Sequence, residues 1–131
     1  MEIIAVLLGG AVGSLSRYGL SRLVQQTSGS IFPYGTLAVN LIGCFFIGFC
    51  FEIAERFSFA PSLRLLIFVG FFGGFTTFSS FGLETVKLLQ DGEWKNAFGN
   101  VLISNIGGIT LVFIGIIASR LLLKILKGGS L

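Results

Sequence analysis

The sequence predicts an all-α membrane protein with four transmembrane helices, the third of them broken, and three observations carry that expectation. Of the 131 residues, 53% are hydrophobic and only 11% charged, a balance foreign to ordinary water-soluble domains. Four apolar stretches, Ile3 to Val24, Tyr34 to Ala54, Leu63 to Leu89 and Ala97 to Ile125, reach or approach the roughly 20 residues that cross about 30 Å of hydrocarbon. They use nearly the whole chain, so a single domain over residues 1–131 is expected. The run from Gly70 to Phe81 in the third stretch sets the adjacent glycines Gly73 and Gly74 just before the hydroxyl residues Thr76, Thr77, Ser79 and Ser80. Glycine costs about 1 kcal/mol against alanine in a helix, and Ser and Thr compete for backbone hydrogen bonds, so local unwinding near 73–77 is expected. Inside a bilayer, non-helical backbone persists only where protein or a water-filled cavity satisfies it, and such breaks tend to bind ions.

The first span begins with Glu2 in place of a basic run, and no small-residue cleavage site follows it, so it is read as a permanent span and not as a removable signal peptide. Gly9 and Gly13 form a small-xxx-small face suited to close packing on another helix. Arg17 lies well inside the span without a carboxylate on its own face. Two readings are open for it: snorkelling to the interface, or a fixed positive charge beside an anion-attracting vestibule.

Pro33 closes a polar turn, and the second span opens with Thr36 and Asn40 four apart on one helix face. An amide in lipid needs a partner, so Asn40 is either glue between helices or a pore-lining donor. Cys44 and Cys50, about 9 Å apart along one helix at 1.5 Å per residue, exceed disulfide reach and read as small apolar fillers. With histidine absent, they assemble no zinc, haem or iron–sulfur ligand set.

In the third span, Ser62 is the expected N-cap. A first half-helix ending near Gly73 leaves carbonyls, out to about Thr76, that form a negative end suited to a small cation. The second half, starting near Thr77, points its N–H groups the other way and suits an anion. Phe78 and Phe81, three apart, share a face, and phenyl edges carry positive quadrupole character. Among 15 phenylalanines, packing or lipid contact is the rival reading for the pair. Trp94 fits the interfacial aromatic belt. Asn100, Ser104 and Gly108 recur every fourth residue of the fourth span, a stripe read either as a packing face or as a hydrophilic track. Gly128, Gly129 and Ser130 read as a frayed tail.

Charge placement adds a second clue. With four spans, Arg56, Arg64, Arg120, Lys124 and Lys127 fall on one side, and Arg17, Arg22, Lys87 and Lys95 on the other, five of the nine Lys and Arg against four. The positive-inside rule works on that difference, so near balance permits insertion both ways up, with an antiparallel two-fold dimer as its natural product. The scattered basic residues form no stripe for nucleic acid.

These residues resemble a known family, the small fluoride channels called Fluc or CrcB. The resemblance covers the whole chain and rests on Arg17 after a glycine-rich start, on Gly35 to Asn40, and on Gly73 to Phe81 followed by Glu84 and Thr85. It implies a fluoride-selective channel in the cell inner membrane, formed as an antiparallel dual-topology homodimer with two pores and one structural sodium ion. Gly73 and Thr76 are similar to the sodium-coordinating carbonyls, Phe78 and Phe81 to the pore phenylalanines, Asn40 to the pore amide and Arg17 to the vestibule arginine. Ser104, with Asn100 one turn before it, resembles the polar track, and Thr36, Ser79, Ser80 and Glu84 are expected along the pore or its vestibule. Departures are Ser80 for threonine, Gly82 for serine, and Gly108 and Val112 for hydroxyl residues. The rival function is a small proton-coupled multidrug exporter of the same size and dual topology. That chemistry needs a membrane-centred carboxylate, and the first span has none beyond Glu2. An enzyme is not expected, given the lack of histidine, of an acid pair and of a cysteine nucleophile with a base.

Overall fold

The computed structural model describes residues 1–128, all helix and short turns. Four helical stretches are long and apolar enough to cross a membrane: Glu2–Ser28, Tyr34–Arg56, Pro61–Gln90 and Trp94–Leu126. The first two are single helices, α1 (Glu2–Ser28) and α2 (Tyr34–Arg56). The third begins as a short α3 (Pro61–Arg64), passes through a π-wound segment Leu65–Phe72 and ends in one α turn, α4 (Gly73–Phe75). After Thr76 and Thr77 it continues as α5 (Phe78–Gln90). The fourth comprises α6 (Trp94–Leu102), a π-wound turn Ile103–Gly107 and α7 (Gly108–Leu126).

Glycine decides how closely these helices approach. α1 lies along the π-wound segment and α4, and α2 along α7. A Cβ added at Gly9 or Gly13 would run into the main chain of Leu66, Phe71 or Phe75, and one at Gly70 or Gly74 into the main chain around Gly9, Gly10 and Ser14. The face predicted from Gly9 and Gly13 therefore packs backbone to backbone on a matching glycine face. The second seam repeats the device: Gly48 of α2 abuts Val112, and Gly115 of α7 abuts Phe45 and Phe49. Without a hydrophobic force between helices in lipid, this close packing holds them together.

The connections are satisfied locally. Gly29 closes α1 in the left-handed region (φ 57°), which glycine enters without a Cβ clash, and its N–H donates to the Gln25 carbonyl. The Gln25 side chain staples the first turn: Nε2 donates to the Ser30 and Phe32 carbonyls at 2.8 and 3.2 Å, and Oε1 accepts from the Gly35 N–H at 3.0 Å. In the second turn, Arg64 pairs with Glu55 and donates to the Ala54 carbonyl.

Three expectations are corrected. Ala60, not Ser62, is the N-cap of α3, because Pro61 occupies the first helical position, where its missing N–H costs nothing. Gly73 and Gly74 remain helical. The backbone turns extended two residues later, at Thr76 (φ −86°, ψ 158°) and Thr77 (φ −149°, ψ 114°). The reason is that Gly74 sits against α1, whereas Thr77 is drawn away by Asn40. The fourth helix starts at Trp94, three residues before the expected Ala97. Of the expected tail, Gly129 and Ser130 lie outside the described residues.

Candidate functional site

The site grows from the two extended residues. Thr76 still closes the preceding helix: its N–H donates to the Phe72 carbonyl at 3.0 Å and its hydroxyl to the same oxygen at 2.9 Å. Thr77 opens the next as N-cap, its Oγ1 accepting from the Ser80 N–H at 3.3 Å. Thr77 also bonds the Ser80 hydroxyl at 3.1 Å and lies 3.3 Å from that of Ser79. Ser79 and Ser80 thus belong to the cap.

Between these two helix ends the Thr77 peptide groups need partners, and Asn40 supplies them. Its Oδ1 accepts from the Thr77 N–H at 2.8 Å and its Nδ2 donates to the Thr77 carbonyl at 3.0 Å. A side-chain amide from α2 stands in for a neighbouring backbone strand, which is how extended backbone stays satisfied away from water. Asn40 is therefore glue. It also lines a cavity of about 250 Å³ together with Thr76, Thr77, Phe78, Phe81, Ser104 and Asn105. An amide nitrogen has two N–H groups, and only one is given to Thr77.

The two rings expected to act together do meet, with centroids 5.4 Å apart and planes 47° off parallel. Their environments differ: Phe81 is 8% exposed, while Phe78 is 79% exposed and juts from the chain. Behind Phe81 runs a buried relay of hydrogen bonds. The Ser104 hydroxyl donates to Asn100 Oδ1 at 3.3 Å, Asn100 Nδ2 donates to Thr85 Oγ1 at 2.9 Å, and the Thr85 hydroxyl donates to the Phe81 carbonyl at 2.8 Å. Asn100, at 2% exposure, is the centre of that relay and does not line the cavity.

Thr36 and Glu84 lie elsewhere. The Thr36 hydroxyl donates to Glu84 Oε1 at 2.7 Å, and both line a second cavity of about 410 Å³ with Ser21, Arg22 and Gln25. Glu84 Oε2 is buried with no protein partner among the described residues. Arg17 reaches across to the third span, where its guanidinium donates to the Thr76 carbonyl at 3.4 Å. Arg22 is the arginine on the polar cavity. Gly73 is exposed, and a Cβ added there would meet no other part of the chain within 4 Å. Its carbonyl faces no Thr77 N–H, because that group is committed to Asn40.

Sequence reasoning gave no role to Thr85 or Asn105, and it treated Cys44 as filler although that residue lines the cavity. Thr85 had a signal, since it stands one helical turn after Phe81. Asn105 had none, because one position beyond Ser104 places it off the stripe of a straight α-helix.

A family model described as CrcB-like protein, Camphor Resistance (CrcB), matches residues 4–116. Three similar proteins bear the name Fluoride-specific ion channel FluC. One from Parabacteroides distasonis is 46% identical, over 97% of this chain and 99% of its own. One from Geobacter sp. (strain M21) is 50% identical over 92% and 98%. One from Legionella pneumophila (strain Paris) is 42% identical over 92% and 90%. With end-to-end likeness and a family match over most of its length, this multi-pass membrane chain belongs to the CrcB family.

Proposed function

We propose that the protein is a fluoride-selective channel that lowers cytoplasmic fluoride by passive efflux. The observation that carries this reading is the convergence of Asn40, Phe78, Phe81 and Ser104, from three different spans, on one cavity beside extended main chain. A dehydrated anion needs hydrogen-bond donors in place of water, and it tolerates the positive edges of phenyl rings. The free N–H of Asn40 and the rims of Phe78 and Phe81 supply both. A larger halide accepts weaker bonds and fits a narrow bore less well, which favours fluoride over chloride. External acid delivers HF, which dissociates at cytoplasmic pH, so a leak for the anion alone exports it. No covalent bond changes, and the protein is not an enzyme.

The finer architecture belongs to the same proposal. The third span acts as a broken helix whose ends hold ions. Two copies pair antiparallel in the inner membrane, each completing the other's pore. The exposed Phe78 ring supports this, since a pore wall left 79% open needs a second surface, and the near-even charge tally supports insertion both ways up.

A structural sodium ion fits the residues present. Among the described residues no group of His, Cys, Asp or Glu can hold a metal, so backbone oxygens are the available donors. The Gly73 carbonyl has lost its helical partner, and the Thr76 carbonyl keeps a second lone pair beside its bond from Arg17. When bound, sodium would supply a fixed positive charge beside these carbonyls. The test is potassium-fluoride efflux from liposomes holding the purified protein, with valinomycin present. Rapid fluoride and little chloride efflux are expected, and equal rates for the two halides would refute the proposal.

A further inference from the structure

Few hydrogen-bond donors around the cavity are free. Most polar side chains that line it have already spent their protons: the Thr76 hydroxyl on the Phe72 carbonyl, the Thr77 hydroxyl on Ser80, and the Ser104 hydroxyl on Asn100. Ser104 thus has no proton left to give to the cavity. Asn40 retains one N–H. Asn105 is the other side chain there with a spare strong donor: Nδ2 gives one hydrogen to the Val101 carbonyl at 2.7 Å, and the second has no protein acceptor among the described residues.

The π-wound turn Ile103–Gly107 explains how an off-stripe residue arrives at the site. Its wider winding closes hydrogen bonds one residue later than an α turn, so the consecutive side chains Ser104 and Asn105 both line the cavity. Around Asn105 the helix is apolar and exposed, with Leu102, Ile103 and Ile106 open. A half-satisfied amide on such a surface marks a polar path in a membrane helix.

We infer that Asn105, an exposed residue on the same cavity as Asn40, is a second anion-binding donor of the pore, and that it helps to select fluoride. The inference rests on the channel reading, and two variants separate its own failure from that of the reading. Asn105→Leu removes both the helix bond and the free N–H. Asn105→Ser keeps the bond, because a serine hydroxyl donates to the carbonyl four residues back, but it has no second proton. Both variants, reconstituted at equal amounts and eluting as the parent does from a sizing column, are expected to lose roughly tenfold in fluoride efflux, the worth of one hydrogen bond to a charged group. A serine variant as fast as the parent overturns the inference, since that outcome assigns Asn105 to holding the π turn. If Asn105→Leu does not fold, the serine variant alone decides. A parent protein that conducts no fluoride at all overturns both readings.

Discussion

The two halves of the third span share one helix axis pattern in the sequence and differ in almost everything else. The half from Leu65 to Phe75 is held by main chain touching main chain: Gly70 and Gly74 leave no room for a side chain against α1. The half from Phe78 to Gln90 is held by polar side chains, with Thr85 buried against Asn100, Thr36 bonded to Glu84 and Asn40 joined to Thr77 at the boundary. The first half is a rigid support whose tolerance is steric. The second is a hydrogen-bonded surface whose tolerance is chemical.

The strongest way to break the contrast is Gly13→Val. Its side chain would overlap the main chain of Phe71, which no rotamer relieves, and overpacking of this kind costs about 3 kcal/mol or more. Loss of the folded peak on a sizing column is expected, and a well-behaved variant would show that the seam can open. Next comes Asn40→Leu, which strips both hydrogen bonds from Thr77 and leaves part-buried peptide groups unpaired, at up to about 1–3 kcal/mol each. Fluoride efflux is expected to fall at least roughly tenfold, with lower thermal stability in detergent. Unaltered efflux would remove the amide from the pore.

Phe78→Ile and Phe81→Ile sharpen the comparison within the second half. Both are expected to slow fluoride efflux, and Phe81, buried within the single chain, should lower the melting temperature more than Phe78. Equal thermal behaviour would mean that Phe78 is covered as fully as Phe81 in the assembled protein. Thr85→Val removes the acceptor for Asn100 and should cost about 1–3 kcal/mol, read as a thermal shift with a smaller loss of flux. The smallest effect belongs to Arg120→Gln at the α2–α7 seam. It loses a 3.0 Å ion pair with Glu52 whose arginine is 63% exposed, worth about 0–1 kcal/mol and fading with added salt.

Much of the scaffold was legible beforehand because its causes are local. Apolar run length marked four spans, Gly9 and Gly13 marked the close face of α1, and Gly73 to Ser80 marked where the third span loses regular winding. Within the expected stretch 73–77 the glycines are not the residues that unwind, since glycine propensity competes with packing: Gly74 stays helical against α1, and Thr76 and Thr77 extend where Asn40 offers bonds. Arg17 shows the same limit. Its need for a partner was readable, but the partner, the Thr76 carbonyl, lies 59 residues away.

By itself the sequence determined that the chain lives in a bilayer, how many times it crosses, and which short stretch carries the polar chemistry, because length and hydropathy are properties of neighbouring residues. Only the tertiary structure decided which polar groups are free to act. Ser104 spends its proton on Asn100, Asn40 divides its amide between Thr77 and the cavity, and a π turn delivers Asn105 to the same place. A hydrogen bond consumes a donor only when folding brings an acceptor within reach, so that inventory exists nowhere in the linear chain.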